Sequence, residues 1–188
     1  MRTVFLLFVA FLLINCGGPE PRKPVKVKSG SFFKESVERN KALLVKEEAL
    51  IQELIKKDTL HTYLASPSGF WYYFETKNDT ATYQPKTNDQ ILFSYNALTL
   101  DNDTIYSMKD IGPTSYVVDK EQLFSGLQNA VKLLKISERA TFLFPSLQAY
   151  GYHGDGNSIG PRTPLKSTIE LHTIIINQDS LNLKTPIQ

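Results

Sequence analysis

The chain has 188 residues, 41% of them hydrophobic and 21% charged, with a formal net charge of +2. That length holds one domain of about 100–200 residues and an appendage, and the apolar share is that of a folded chain, which excludes a wholly disordered one. The charge is too small and too scattered to make a nucleic-acid surface, so nucleic acid is excluded as the expected partner.

At the N-terminus, Arg2 precedes an uninterrupted apolar run from Val4 to Ile14, about the length of the hydrophobic part of a signal peptide and too short to span a bilayer comfortably. The run ends at Leu13-Ile14-Asn15-Cys16-Gly17, and Cys16 is the chain's one cysteine. Alone, it can form no intramolecular disulfide, so lipid attachment is its most economical use. The pattern resembles the lipobox of bacterial lipoproteins, with Asn15 departing from the Gly, Ala or Ser usual there. The expectation is a signal peptide over 1–15 and an acylated Cys16, each buried methylene adding ~0.8 kcal/mol of membrane affinity. A cleaved, secreted protein with an incidental cysteine is the alternative. Residues 16–30 read as a tether, because Gly17 to Ser29 carry three prolines and no core-forming run. Its Arg22, Lys23, Lys26 and Lys28 either rest near anionic headgroups or are simply solvated.

Residues 31–57 lack Gly and Pro, and Val37, Leu44, Ile51 and Ile55 recur at helical spacing. The pattern predicts an amphipathic helix in an arm over 31–62, with Ser31 as N-cap, Glu35 in the first turn and Lys56 and Lys57 in the last. Leu43, Leu50 and Leu54 widen its apolar stripe. The stripe needs a partner, which is either its own domain or a second copy of the chain, giving a homodimer.

Beyond His61 aromatic and β-branched runs alternate with turn signals, the texture of a sheet. Strands are expected near Gly69–Thr76, Gln90–Leu98, Thr104–Tyr106, Thr141–Phe144 and Thr168–Ile176. Asn88-Asp89 and Asp101-Asn102-Asp103 mark turns between them. A helix is expected over Lys120–Leu134 from the spacing of Leu123, Leu127, Ala130, Val131 and Leu134. The sum is an α+β fold, an antiparallel sheet of about five strands curled around a short helix, over 63–180, with a tail at 181–188.

The familiar reactive constellations are missing. His61, His153 and His172 lie far apart without ligand spacing, so no metal and no cofactor is expected. What stands out is an ordered string: Gln90-Ile-Leu-Phe-Ser-Tyr95, Asp101-Asn-Asp-Thr-Ile105, Leu123-Phe-Ser-Gly-Leu127, Ala149-Tyr150-Gly151, Ile159-Gly160-Pro161 and Thr163-Pro164-Leu165. Over about Ser66 to Ile176 this string resembles the FKBP-type peptidyl-prolyl cis/trans isomerases. With the lipoprotein start and the arm, it is most like the isomerase lipoproteins associated with gliding motility in Bacteroidetes.

The resemblance implies an FKBP-like fold and a shallow apolar cup for a proline ring. Tyr95, Tyr150 and Tyr106 would be its catalytic residues, and Tyr116, Leu123, Phe124, Leu127 and Ile159 would bind substrate, with 151–162 as a flexible flap. Taken singly, each of these residues reads more readily as core, and the collective pattern shifts the balance. Two positions depart from the family: Tyr106 follows Ile105 where an acid is usual, and Ser167 stands where an aromatic is usual. A physical reason supports an apolar cup. Rotation about the prolyl amide faces a barrier of ~18–20 kcal/mol and passes through a twisted, less polar state, which an apolar pocket binds better than the planar one. The expected function is a membrane-anchored isomerase in the bacterial envelope, facing the periplasm and acting on proline-containing polypeptides. Its rival is a catalytically weak assembly subunit that only binds them.

Overall fold

The computed structural model describes residues 29–177. The expected signal peptide, Cys16, the tether as far as residue 28 and the tail at 181–188 lie outside the described residues. The first helix, α1, spans Ser29–Lys57. It therefore begins before residue 31, so Ser31 lies inside its first turn and Glu35 beyond it, while Lys56 and Lys57 do occupy the last turn beside the negative end of the helix. No helix among the described residues is long and apolar enough to cross a membrane.

The chain divides into two compact units, 1–37 and 38–188. Of the first, the structure describes the opening turns of α1. The second contains the rest of α1, which buries Glu47 and Ile51 and half-buries Leu44, Leu54 and Ile55. The expected stripe is thus narrower than its leucine count implied: Val45 and Leu50 remain 64% and 53% exposed. A carboxyl group sits on the seam that the apolar spacing predicted.

The strands are β1 (Leu64–Ala65), β2 (Trp71–Thr76), β3 (Gln90–Tyr95), β4 (Ala97–Leu98), β5 (Thr104–Tyr106), β6 (Thr114–Val117), β7 (Arg139–Phe144) and β8 (Leu165–Ile175). Among the described residues they form one antiparallel sheet of eight strands in the order β1-β2-β7-β8-β3-β6, with β4 joining β8 to β5. The expectation of about five strands was too low for two physical reasons. Asn96 interrupts the run at 90–98: its side-chain oxygen accepts from Thr168 N–H at 2.7 Å and its carbonyl from Ser167 Oγ at 2.6 Å, separating β3 from β4. In addition, β1 and β6 are short pieces without a repeating apolar pattern, held by pairing to β2 and β3. The turns read from Asn88 and Asn102 are present, both residues adopting φ of 73°, the left-handed region that Asn tolerates.

Between β5 and β6 a single turn, α2 (Met108–Ile111), is closed by a capping box from Ser107. The helix inside the curled sheet, α3, runs only Ser125–Val131, shorter than the spacing predicted. Asp119 has positive φ and Phe124 is extended, so the chain enters the helix late. Past Val131, Leu133 and Leu134 bond three residues back and tighten the exit. Leu127, Ala130, Val131 and Leu134 are fully buried against Phe93, Phe142, Phe144 and Ile169 in one core. Phe142 and Phe144 stack at 5.7 Å, and Phe70 meets both edge-on.

Candidate active site

The cup is built where β3, β5, the entry to α3 and the segment after β7 converge. Tyr95 ends β3, with its ring stacked on Phe93 at 5.6 Å. Phe124 caps α3 in an extended conformation, so its ring is directed back toward the segment following β7. There it meets Tyr150 at 5.1 Å and Phe144 edge-on at 5.5 Å. Tyr95, Tyr106, Leu123, Phe124 and Tyr150 are all half-buried, the exposure expected of a wall, while Leu127 and Ile159 are buried beneath.

The phenols are coupled. Tyr95 and Tyr150 are close enough to shift one another, and burial pushes both above the ordinary tyrosine range. For Tyr150 the value reaches about 12, first from burial and then from the neighbouring Tyr95, Asp155 and Tyr106. The Tyr150 hydroxyl therefore stays protonated at physiological pH and can donate to a carbonyl.

Tyr106 does something the sequence did not disclose. Its hydroxyl donates to Asp155 Oδ2 at 2.5 Å and accepts from Asn157 Nδ2 at 3.0 Å and Ser158 N–H at 3.2 Å. Asp155 Oδ1 in turn accepts from the N–H groups of Asn157 and Ile159, each at 2.8 Å. The acid absent after Ile105 is thus supplied from 49 residues away. The 151–162 loop, expected to be a flexible flap, bonds to itself and to β5, and Arg162 N–H also bonds Gly151 O at 2.8 Å. Gly154 has to be glycine here: its φ is +72° and a Cβ would lie 2.3 Å from Ile159 O.

Partial burial tends to raise the Asp155 carboxyl, but the bonds from Tyr106, Asn157 and Ile159 outweigh it and hold it below the usual range. Because the folded value is depressed, the latch is fully made above the ordinary carboxylate pKa and is lost as pH falls through the folded one. Tyr106→Phe is expected to speed amide exchange at Asn157 and Ile159 at least about tenfold near neutral pH, since a hydrogen bond to a charged group contributes about 1.5–3 kcal/mol. The difference from wild type should vanish in acid. Equal exchange at neutral pH would remove the latch.

The other expected residues fall differently. Tyr116 is buried in the core, and its hydroxyl accepts from Asp119 N–H at 3.1 Å. Ser167 is buried on β8 opposite Phe142, its hydroxyl committed to Asn96. His61 stacks on Tyr73, His153 packs edge-on to Tyr152, and His172 lies 2.8 Å from Ser94 Oγ. The signal for Asp155 was present in Gly154-Asp155-Gly156, an acid between two glycines of positive φ.

Residues 81–172 match the family described as FKBP-type peptidyl-prolyl cis-trans isomerase. A curated relative, the probable FKBP-type peptidyl-prolyl cis-trans isomerase FkpA of Neisseria meningitidis serogroup B, is 31% identical over 132 residues, covering 70% of this chain and 46% of its own. The chain thus spans about half the length of that relative. Among solved structures, a peptidyl-prolyl cis-trans isomerase from Pseudomonas syringae pv. tomato superposes with a TM-score of 0.57 at 23% identity, over 72% of this chain and 96% of that one. The N-terminal domain of FKBP42 from Arabidopsis thaliana does so with 0.54 at 18% identity, over 61% and 93%. At these identities the two structures carry the fold alone.

Proposed function

From the match of residues 81–172 to the FKBP-type peptidyl-prolyl cis-trans isomerase family, we propose that the chain accelerates cis/trans interconversion at X-Pro bonds of exported polypeptides. The observation that carries the reading is the protonated Tyr150 phenol set against the Phe124 ring. A proline ring seated on Phe124 and Leu123 would place the preceding carbonyl within reach of that donor. The apolar walls then favour the twisted amide over the planar one, with no covalent step. Uncatalysed isomerisation takes tens to hundreds of seconds, so folding clients gain from modest acceleration.

Within this proposal Cys16 carries the lipid, the bilayer is the second partner, and the domain faces the periplasm of a bacterial envelope. The reading rests on the apolar run, the single cysteine and the tether composition. Full-length chain should partition with membranes and Cys16→Ser with the soluble fraction; identical partitioning would sink the anchor. The finer placement among gliding-associated lipoproteins rests on the resemblance described above, and a deletion strain that spreads normally on a surface would discard it. Among the described residues, pairing through the arm has the exposed Val37, Val45 and Leu50 positions to use. A strictly monomeric chain at high concentration would eliminate it.

The rival reading, a binding subunit with little turnover, draws on one observation: Asp155, the acid beside the phenols, is engaged by Tyr106 and the loop N–H groups. An X-Pro peptide series assayed with the full chain in mild detergent separates the two. Acceleration above the spontaneous rate supports the enzyme. Proline-peptide binding without acceleration supports the subunit.

A further inference from the structure

Glu47 is a glutamate on an apolar helical seam, 4% exposed, between Leu44 and Ile51. Polar groups so placed are costly unless hydrogen-bonded, and this one is bonded at both oxygens by a single residue. Ser146 N–H donates to Oε2 and Ser146 Oγ to Oε1, each at 2.7 Å and across 99 positions of sequence.

Ser146 is itself the hub of the segment that presents Tyr150. It opens the 3₁₀ turn Ser146–Gln148, and its carbonyl accepts from Ala149 N–H at 3.1 Å and Gly151 N–H at 2.8 Å, the residues on either side of Tyr150. On the opposite face α3 approaches so closely that a Cβ on Gly126 would lie 2.6 Å from Gln148 O. The short loop carrying the phenol is thus closed on one serine. Both donors of that serine end on α1.

Building on the isomerase reading, the geometry points to Glu47 as a positioning residue for Tyr150, which makes the helical arm part of the catalytic apparatus and not only a spacer. Loss of Glu47 frees both Ser146 donors, and the turn can rotate about Pro145 and carry the phenol away from the carbonyl it must meet. The loss should fall on kcat, because the apolar walls that bind the proline ring are untouched.

The test uses the full chain in detergent with Glu47→Ala and Glu47→Gln, each alone and combined with Tyr150→Phe. Glu47→Ala should lower kcat about tenfold with KM nearly constant, inside the range of up to about a hundredfold that a misplacement of about 1 Å costs. Tyr150→Phe should then matter less than about twofold in the Ala background, since coupled residues are non-additive. Glu47→Gln can accept the N–H with its amide oxygen and donate to Oγ, so it should retain at least half of the wild-type rate. If Glu47→Ala fails to fold, Ser146→Ala takes its place, keeping the N–H bond and losing the other, with a several-fold loss expected. An active wild type with Glu47→Ala equally active and equally sensitive to Tyr150→Phe overturns the inference.

Amide exchange at Ala149 and Gly151 decides independently of turnover. Faster exchange in Glu47→Ala supports the inference even where the wild type shows no isomerase activity, which would instead count against the isomerase reading. Unchanged exchange overturns it.

Discussion

Tyr150→Phe is expected to lower kcat/KM for X-Pro peptides about tenfold, equivalent to about 1.4 kcal/mol of transition-state stabilisation. The substitution removes one oxygen and leaves the ring, so the contact with Phe124 at 5.1 Å survives and the fold should not change. What disappears is a donor that burial keeps protonated, its pKa pushed up to about 12. In a half-buried cup a neutral hydrogen bond is worth about 0.5–1.5 kcal/mol, and the expected loss lies at the upper end because water competes poorly there. The pH profile gives a second check. A raised phenol pKa means activity dependent on the protonated form persists through the ordinary tyrosine value of 10.0 and declines only near 12. Rates of wild type and Tyr150→Phe that coincide at every pH would make Tyr150 a packing residue.

Gly126→Ala should destabilise the domain by about 2 kcal/mol, within the range of about 1–3 kcal/mol for overpacking. Helix propensity alone predicts the opposite sign, since alanine is better than glycine in a helix by about 1 kcal/mol. Packing decides the outcome. The new methyl would meet Gln148 O and Phe144 Cδ1, both at 2.6 Å, and neither a backbone carbonyl nor a buried ring can step aside. For a chain of this size the melting temperature should fall by roughly 4–8 °C. Gly160→Ala is the control: its φ is not in the left-handed region, and a Cβ there meets only Thr163 Oγ1 at 3.6 Å. Equal melting temperatures for Gly126→Ala and wild type would mean that α3 slides away from the turn more easily than the packing implies.

Much of this architecture was legible in the sequence because local periodicity carries it. The seam through Leu44, Ile51 and Ile55, the aromatic run in Trp71–Thr76 and the asparagine turns are written in neighbouring residues. Tyr95, Phe124 and Tyr150, which the structure brings together, each lie in a short motif of fixed order. What escaped notice is non-local. Leu64–Ala65 and Thr114–Val117 become strands only through partners in β2 and β3, with no period of their own. The apolar spacing around Leu123 predicted too long a helix, because packing on a core and lying in a helix leave the same trace. Asp155 and Glu47 find their partners 49 and 99 positions away. The place of Glu47 between Leu44 and Ile51, on the apolar side, is the one local sign of its burial.

On the proposed isomerase reading, the latch through Tyr106 has a consequence for how proline-containing clients come and go. A loop that closes only on its substrate loses conformational freedom at every encounter, and that loss weakens binding. Here the 151–162 loop is ordered by Asp155 in the free protein, so its entropy is surrendered once, during folding. Docking onto such a rim approximates rigid-body association, with rate constants of about 10⁵–10⁷ M⁻¹s⁻¹. The discrimination lost with a moving lid must then come from the shape of the cup alone, which favours many brief visits by varied proline segments over long residence by one.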